Sequence, residues 1–242
     1  MTVLILGASG ATGRLLVADL LNREHKVKAI VRTTESLPDD IRRHPLLTVV
    51  HASIVDLSDK EIRQHVAGCA AVASCLGHNL SFSGMFGAPR KLITDATRRV
   101  CEAVMVSQPE QPVKFVLMNT AGNSNRDLGE PVSFSQRCII GLIRLLLPPH
   151  TDNEQAADYL RIGIGPSDRA IEWCVVRPDT LINEADVSEY EVHPSPTRSA
   201  IFNAGQTSRV NVAHFIAELI TDDDTWRNWK GRMPVIYNRG FS

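Results

Sequence analysis

The chain has 242 residues, 43% of them hydrophobic, and 26 Lys and Arg against 27 Asp and Glu give a net charge of −1. That length holds one large α/β domain or two small ones, and the charge balance gives no reason to expect nucleic acid or an acidic membrane surface as partner. The five cysteines, Cys69, Cys75, Cys101, Cys138 and Cys174, stand in apolar contexts with no CxxC pair, which argues against a disulfide framework or a zinc site and for a reducing compartment, the cytoplasm.

The first element is the most informative. Val3-Leu4-Ile5-Leu6 is an apolar run that breaks at Gly7, Gly10 and Gly13 follow at three-residue steps, and a helical pattern (Leu15, Leu16, Val17, Leu20, Leu21) then begins. A buried strand, a glycine turn and a helix N-terminus in that order predict a site for a dinucleotide pyrophosphate. Gly7 permits the sharp exit from the strand. Gly10 lets backbone N–H groups approach the phosphates with no Cβ in the way, and Gly13 lets the helix pack close to the sheet. Ser9 and Thr12 add hydroxyl donors on either side of Ala11. A glycine pattern alone specifies little; this one gains weight from its place between strand and helix. With a strand starting at the second residue, no secretory signal peptide is expected.

Lys26 to Val31 reads as strand two and leads into Arg32-Thr33-Thr34. A carboxylate at this point would bond ribose hydroxyls and repel a 2′-phosphate, whereas a guanidinium pairs with it. Arg32 therefore predicts NADP(H) in preference to NAD(H), with Arg14 as a second cation for the same phosphate. Leu46 to His51 is strand three, after which Ser53 and Ile54 are expected to flank the adenine. Ser58-x-x-Glu61 is a capping box that opens a helix. Ala70 to Cys75 is strand four; Cys75, Leu76 and Gly77 are expected beneath the ribose. A helix from about Pro89 to Val106 follows, with proline in its first turn. Val113 to Met118 is strand five, which would put Asn119, Thr120 and Ala121 beside the nicotinamide. Ligands of open α/β sheets sit at the C-terminal ends of the strands, and that groups these positions.

The connection from Asn119 to Glu172 is unusually long. It holds an apolar helix candidate, Phe134 to Leu147, and an amphipathic one, Glu154 to Ile162. It reads as a substrate pocket or partner surface, or as a surface helical hairpin. The run Cys138 to Leu147 is too short to span a bilayer and carries Arg144. Pro148-Pro149 and Pro194-Ser195-Pro196 read as loop punctuation. Trp173 to Val176 is strand six, Val212 to Ile220 an amphipathic helix and Pro234 to Tyr237 a last short strand. Apolar strands alternating with helices predict an α/β fold with a doubly wound, mostly parallel sheet. A single domain over 1–242 is expected, with a helical insertion at about 123–162 between strands five and six and a small C-terminal part, about 179–242, over the pocket.

The combination GASGATGR, Val31-Arg32, Asn119-Thr120-Ala121-Gly122, Trp173-x-x-Val176-Arg177-Pro178 and Ser208-Arg209-Val210-x-Val212-Ala213 resembles the atypical short-chain dehydrogenases/reductases. It is most similar to their NmrA-like and biliverdin/flavin-reductase-like branches, which have the NAD(P)-binding Rossmann fold. The resemblance spans the chain except for residues 123–150. It implies that Arg177, Pro178 and Thr180 contact the nicotinamide side. Many relatives place an Asp after strand three for the adenine amino group; this chain has Ser53 there, and Asp56 reads as a loop residue.

The resemblance also frames the chemistry. Standard members use Ser or Thr after strand five and Tyr-x-x-x-Lys on the next helix, a spacing that puts both side chains on one face. The lysine lowers the tyrosine pKa so that it can act as general acid or base. Thr120 takes the Ser position and is the catalytic candidate. Tyr159 is the only tyrosine in the region, but Gly163 stands in the lysine position and Arg161 points elsewhere. Tyr190 and Tyr237 lack the pattern. Without a cation, Tyr159 is expected to stay near its reference pKa of about 10 and to serve as packing. Hydride transfer to an acceptor that needs no strong proton donor, such as a flavin or quinone, requires only positioning. Asp152, Asn153 and Glu154 open the helix before Tyr159 and read either as facing the pocket or, the preferred reading, as ordinary helix capping. The eight histidines show no metal-ligand spacing; His78 is the one expected to border the pocket, with a surface loop as the default.

These observations predict an NADP(H)-dependent oxidoreductase acting on a small carbonyl, quinone or flavin acceptor. The rival is a catalytically silent NADP(H)-binding redox sensor that works through a protein partner. Epimerase or dehydratase chemistry on a nucleotide sugar is disfavoured by the missing Tyr-Lys pair. A small molecule is the expected partner, with neither nucleic acid nor membrane; a homodimer stays open.

Overall fold

The computed structural model describes residues 1–33, 37–78, 90–130, 135, 139–142, 144 and 147–240. Along these the elements are β1 (Thr2–Leu6), α1 (Ala11–Asn22), β2 (Lys26–Val31), α2 (Asp39–Arg42), β3 (Leu47–His51), α3 (Asp59–Val66), β4 (Ala71–Ser74), α4 (Leu92–Ser107), β5 (Val113–Met118) and α5 (Pro148–Asp158). A π-helical turn (Tyr159–Ile164) continues α5, followed by β6 (Ile171–Pro178), β7 (Thr180–Ile182), β8 (Tyr190–His193), β9 (Gln206–Ser208), α6 (Arg209–Thr221), α7 (Asp223–Trp229) and β10 (Val235–Asn238).

Eight strands form one sheet in the order β3-β2-β1-β4-β5-β6-β10-β8. Its strand pairs are parallel except β10–β8, and β7 and β9 form a separate parallel pair. The chain winds outward from β1 to β3, then returns to lay β4 on the other side of β1. That reversal opens a crevice above the C-terminal ends of β1 and β4. It is the doubly wound, mostly parallel Rossmann arrangement expected from the alternation of strands and helices.

Both faces of the sheet are covered, and the two-residue period of β1 assigns its side chains. Val3 and Ile5 pack with Leu16, Val17 and Leu20 of α1 and with Val212, Ile216 and Leu219 of α6. Leu4 and Leu6 pack on the opposite side with Ile62, Val100, Val104, Ala157 and Leu160. Covering on both faces is why these strands read as continuous apolar runs.

The stretch from 179 onward takes a larger share in the sheet than a small part over the pocket would. Its strands β10 and β8 extend the sheet beyond β6, and α6 packs against α1. Pro148-Pro149 does not punctuate a loop; it begins α5, where a fixed φ suits the first turn and a missing N–H leaves no hydrogen bond unmade. The expected helix Glu154 to Ile162 thus starts earlier and gives way at Tyr159 to the π turn, which ends at Gly165 with φ +75°. Of the apolar candidate Phe134 to Leu147, Ile139, Ile140, Gly141, Leu142 and Arg144 are helical; Phe134 and Cys138, like Thr34 and Pro89, lie outside the described residues. Among the described residues no helix is long and apolar enough to cross a membrane.

Candidate functional site

A cleft of about 250 Å³ lies in the crevice above β1, β2, β3 and β4. Its floor is the glycine turn. Gly7 has φ +72°, and a Cβ there would stand 2.6 Å from the Cys75 carbonyl oxygen. A Cβ on Gly13 would meet the Gly7 carbonyl oxygen at 2.1 Å. Both glycines are therefore required by the approach of the protein's own backbone. Gly10 differs: its φ is −71°, and a Cβ would meet only the Gly7 oxygen, at 3.2 Å. Gly10 is the N-cap of α1 and offers no side-chain cap, so the first-turn N–H groups are left to a ligand at the positive end of the helix dipole. The turn is a cradle of the shape and polarity that a pyrophosphate needs.

The fold brings Gly7, Ser9, Gly10, Arg32, Ser53, Ile54, Cys75, Leu76 and Gly77 together around this cleft, joined by Ile30, Val31, Ala52, Val55 and Leu92. Burial pushes the Cys75 thiol up to about 12, so it lines the wall as an inert apolar group. Arg32 is exposed at the rim, and its carbonyl oxygen lies 2.7 Å from His51 Nε2. Thr12, Gly13, Arg14 and Thr33 lie apart from the lining: the first two are buried, the last two exposed. Ala11, also outside the lining, opens α1.

The segment after β5 forms a second group. The Asn119 and Ala121 N–H groups donate to the Val176 and Pro178 carbonyls, both at 2.8 Å, and so extend the β5–β6 pairing beyond the strand. Thr120 is half-buried, and its Oγ1 accepts from the Gly122 N–H at 3.3 Å. Asn119 is occupied within the protein: its Nδ2 donates to the Asn153 carbonyl at 2.8 Å and its Oδ1 accepts from the Thr120 N–H at 2.9 Å.

Arg177 is a correction. The resemblance implies a nicotinamide contact, but the side chain is 0% exposed and every guanidinium N–H is directed at protein. It pairs with both oxygens of Glu130 at 2.7 and 3.0 Å and donates to the Met233 and Asn123 carbonyls, each at 2.7 Å, and to that of Pro194 at 3.4 Å. A buried cation needs its counter-charge and all its donors satisfied. Arg177 therefore clamps the 123–130 loop to β6 and the β10 approach. Pro178, beside it, ends β6 as a buried residue.

Helix α5 holds what the sequence reading missed. Asp152 does not cap its own helix. Its carboxylate accepts from the Ile93 and Thr94 N–H groups at 2.8 and 2.9 Å, capping α4, and meets His78 Nε2 at 2.7 Å. His78 is accordingly not a surface-loop residue: its side chain is 6% exposed, one position beyond the cleft-lining Gly77. Glu154 accepts a bidentate pair from Arg144, and His150 Nε2 lies 3.4 Å from Glu154 Oε1. Burial pushes the Glu154 carboxyl up, but the His150 and Arg144 side chains outweigh it and bring it down to about 2. Asp152 and Ile93 are 59 residues apart, so no local signal shows that pair. His150-x-x-x-Glu154, by contrast, has a helical spacing legible in the chain.

Tyr159 is packing, as expected, but its pKa is not ordinary. Burial pushes it up to about 12, and its ring packs against the cluster around Val100 and Leu160. A Cβ on Gly163 would touch the ring at 3.2 Å. The place expected of a lysine is thus covered by the tyrosine itself.

A family model described as NAD(P)H-binding matches residues 7–223. An uncharacterised chloroplast protein of Arabidopsis thaliana is 25% identical over 223 residues, 92% of this chain and 73% of that protein. A short-chain dehydrogenase/reductase of Veillonella parvula, solved in complex with NADP, superposes with a TM-score of 0.71 at 18% identity, covering 99% of this chain and 95% of that one. ChuY, an anaerobillin reductase of Escherichia coli, superposes with a TM-score of 0.69 at 16% identity, covering 100% and 99%. These structures share the fold. The family match spans the glycine cradle, the cleft walls and the segment after β5, and on it the chain belongs to the NAD(P)H-binding family.

Proposed function

We propose that the protein is an NADP(H)-dependent oxidoreductase that reduces a small carbonyl, quinone or flavin acceptor. The carrying observation is one cleft with the uncapped glycine cradle on its floor and Arg32 at its rim. In this reading the first-turn N–H groups of α1 hold the pyrophosphate and Arg32 pairs with the 2′-phosphate. Ser53 and Ile54 flank the adenine, and the Cys75–Gly77 wall lies under the ribose. Beyond the cleft, the Thr120 hydroxyl orients the acceptor or the nicotinamide amide. When bound, the reduced nicotinamide supplies a hydride. The NADP-bound structure of the Veillonella protein and the reductase activity named for ChuY support the class of reaction. Buried free thiols at Cys69, Cys75, Cys101 and Cys174 support a reducing compartment, the cytoplasm.

Calorimetric titration tests the cofactor choice. NADPH is expected to bind more tightly than NADH, and Arg32→Ala to remove most of the difference. One charge-assisted contact to phosphate contributes roughly 1.5–3 kcal/mol, about 10- to 150-fold. Equal affinity of the wild type for both cofactors overturns the preference. Stopped-flow oxidation of bound NADPH against a panel of acceptors tests the activity; tight binding with no turnover would point to a redox sensor.

A further inference from the structure

We propose that His150, positioned by Glu154, is the proton donor to the acceptor oxygen and occupies the role that Tyr-x-x-x-Lys has in standard relatives. The assignment deepens the reductase reading and rests on it.

Three observations converge. The first is spacing: His150 and Glu154 are four residues apart on α5, the spacing that sets two side chains on one helical face. The second is placement. A Cβ on Gly122 would stand 3.5 Å from His150 Cε1 and 3.7 Å from Thr120 Oγ1, so the imidazole and the hydroxyl converge on one point just beyond β5. The bond from Asn119 Nδ2 to the Asn153 carbonyl, 2.8 Å, ties this part of α5 to the same end of the strand. The third is the state of the ring. Its side chain is 13% exposed, and Nε2 is buried 3.4 Å from Glu154 Oε1, with no hydrogen-bond partner among the described residues.

The charges around the ring suit the role. Glu154, whose carboxyl is pushed up by burial but brought down to about 2 by the His150 and Arg144 side chains, stays ionised near neutral pH. Arg144 reaches the same carboxylate from the insertion. The residues that face the ring from the β5 side, Thr120 and Gly122, carry no charge. Imidazole changes its charge between about pH 5 and 8, which suits proton transfer near neutrality.

The step balances. The acceptor carbonyl carbon gains a hydride from the reduced cofactor, and the carbonyl oxygen gains a proton from His150 while Thr120 donates a hydrogen bond to it. The C=O π bond is replaced by a C–H and an O–H bond. The cofactor is left oxidised by two electrons, and neutral His150 regains its proton from water.

The test uses the full chain and its best acceptor. His150→Gln is expected to lower kcat about 100-fold or more, with the NADPH Kd within about twofold and partial rescue by added imidazole. Glu154→Gln is expected to lower kcat rather than raise KM, with part of the loss recovered in Glu154→Asp. A second readout needs no turnover. The His150 Cε1–H resonance, identified by its loss in His150→Gln, is expected to shift as NADP⁺ saturates the wild type. A resonance unmoved at saturation overturns the placement. Wild-type turnover with His150→Gln within about tenfold overturns the assignment alone. NADPH binding with no reduction of any acceptor overturns the reductase reading, and the assignment with it.

Discussion

Individual residues here separate structural from ligand-facing roles by what a substitution would meet. The 3.2 Å approach and ordinary φ at Gly10 mean that Gly10→Val is expected to fold, at about 1 kcal/mol for a poor N-cap, and to lose NADPH binding because the side chain enters the phosphate path. Circular dichroism and calorimetry on the same sample check it; a folded variant with wild-type affinity would move the phosphate site elsewhere. Arg177 and Glu130 are the opposite case. Glu130→Gln leaves a fully buried guanidinium without its counter-charge and is expected to cost roughly 3–5 kcal/mol in urea unfolding. A loss under about 1 kcal/mol would show the pair to be solvated. Tyr159→Phe is expected to leave turnover within about tenfold, because a tyrosine raised to about 12 is a poor proton shuttle at neutral pH.

At the scale of elements, docking rather than propensity organises the site. Helix α4 has no cap on its own N-cap residue; Asp152 of α5 supplies it and holds His78 at the same time. Asp152→Asn keeps the shape but weakens the charge-assisted bonds at a helix N-terminus. A loss of about 1–2 kcal/mol is expected, with faster amide exchange at Ile93 and Thr94 than in the rest of α4. Unchanged exchange at both amides would mean that the cap does not hold the helix end. The α3 capping box shows how a cap becomes legible: Ser58 and Glu61 are three residues apart, and both reciprocal bonds form. The α4 cap is supplied from 58 and 59 residues away, and no pattern in one helix records it.

For the whole molecule the acid limb of stability carries a sign. The Glu154 carboxyl is depressed from an ordinary value of 4.5 to about 2, so its contribution is complete above pH 4.5 and is lost as pH falls towards 2. The shift corresponds to at most about 3 kcal/mol, reduced by solvent around the 43% exposed Arg144. Wild-type stability is expected to fall between about pH 5 and 2, and Glu154→Gln, less stable at pH 7, to show a flatter decline. Parallel curves for the two proteins would show that Glu154 is not the group responsible.

The chain by itself determined the layered architecture and the nucleotide cradle. Strands Lys26–Val31 and Val113–Met118 stand where their apolar runs place them, and Gly13 is demanded by the turn itself, where a Cβ would meet the Gly7 carbonyl oxygen. Such features depend on contacts within one strand, turn or helix, so periodicity and spacing carry them. Tertiary structure decided the rest. It turned Arg177 from an expected nicotinamide contact into a buried clamp on Glu130, 47 residues away, and made Asp152 the cap of another helix. It brought His150 to Thr120 through the packing of α5 on the end of β5. Those partners meet only when separate helices and loops dock on a finished sheet, and the free energy that selects them is spread over the packed core, where no local pattern records it.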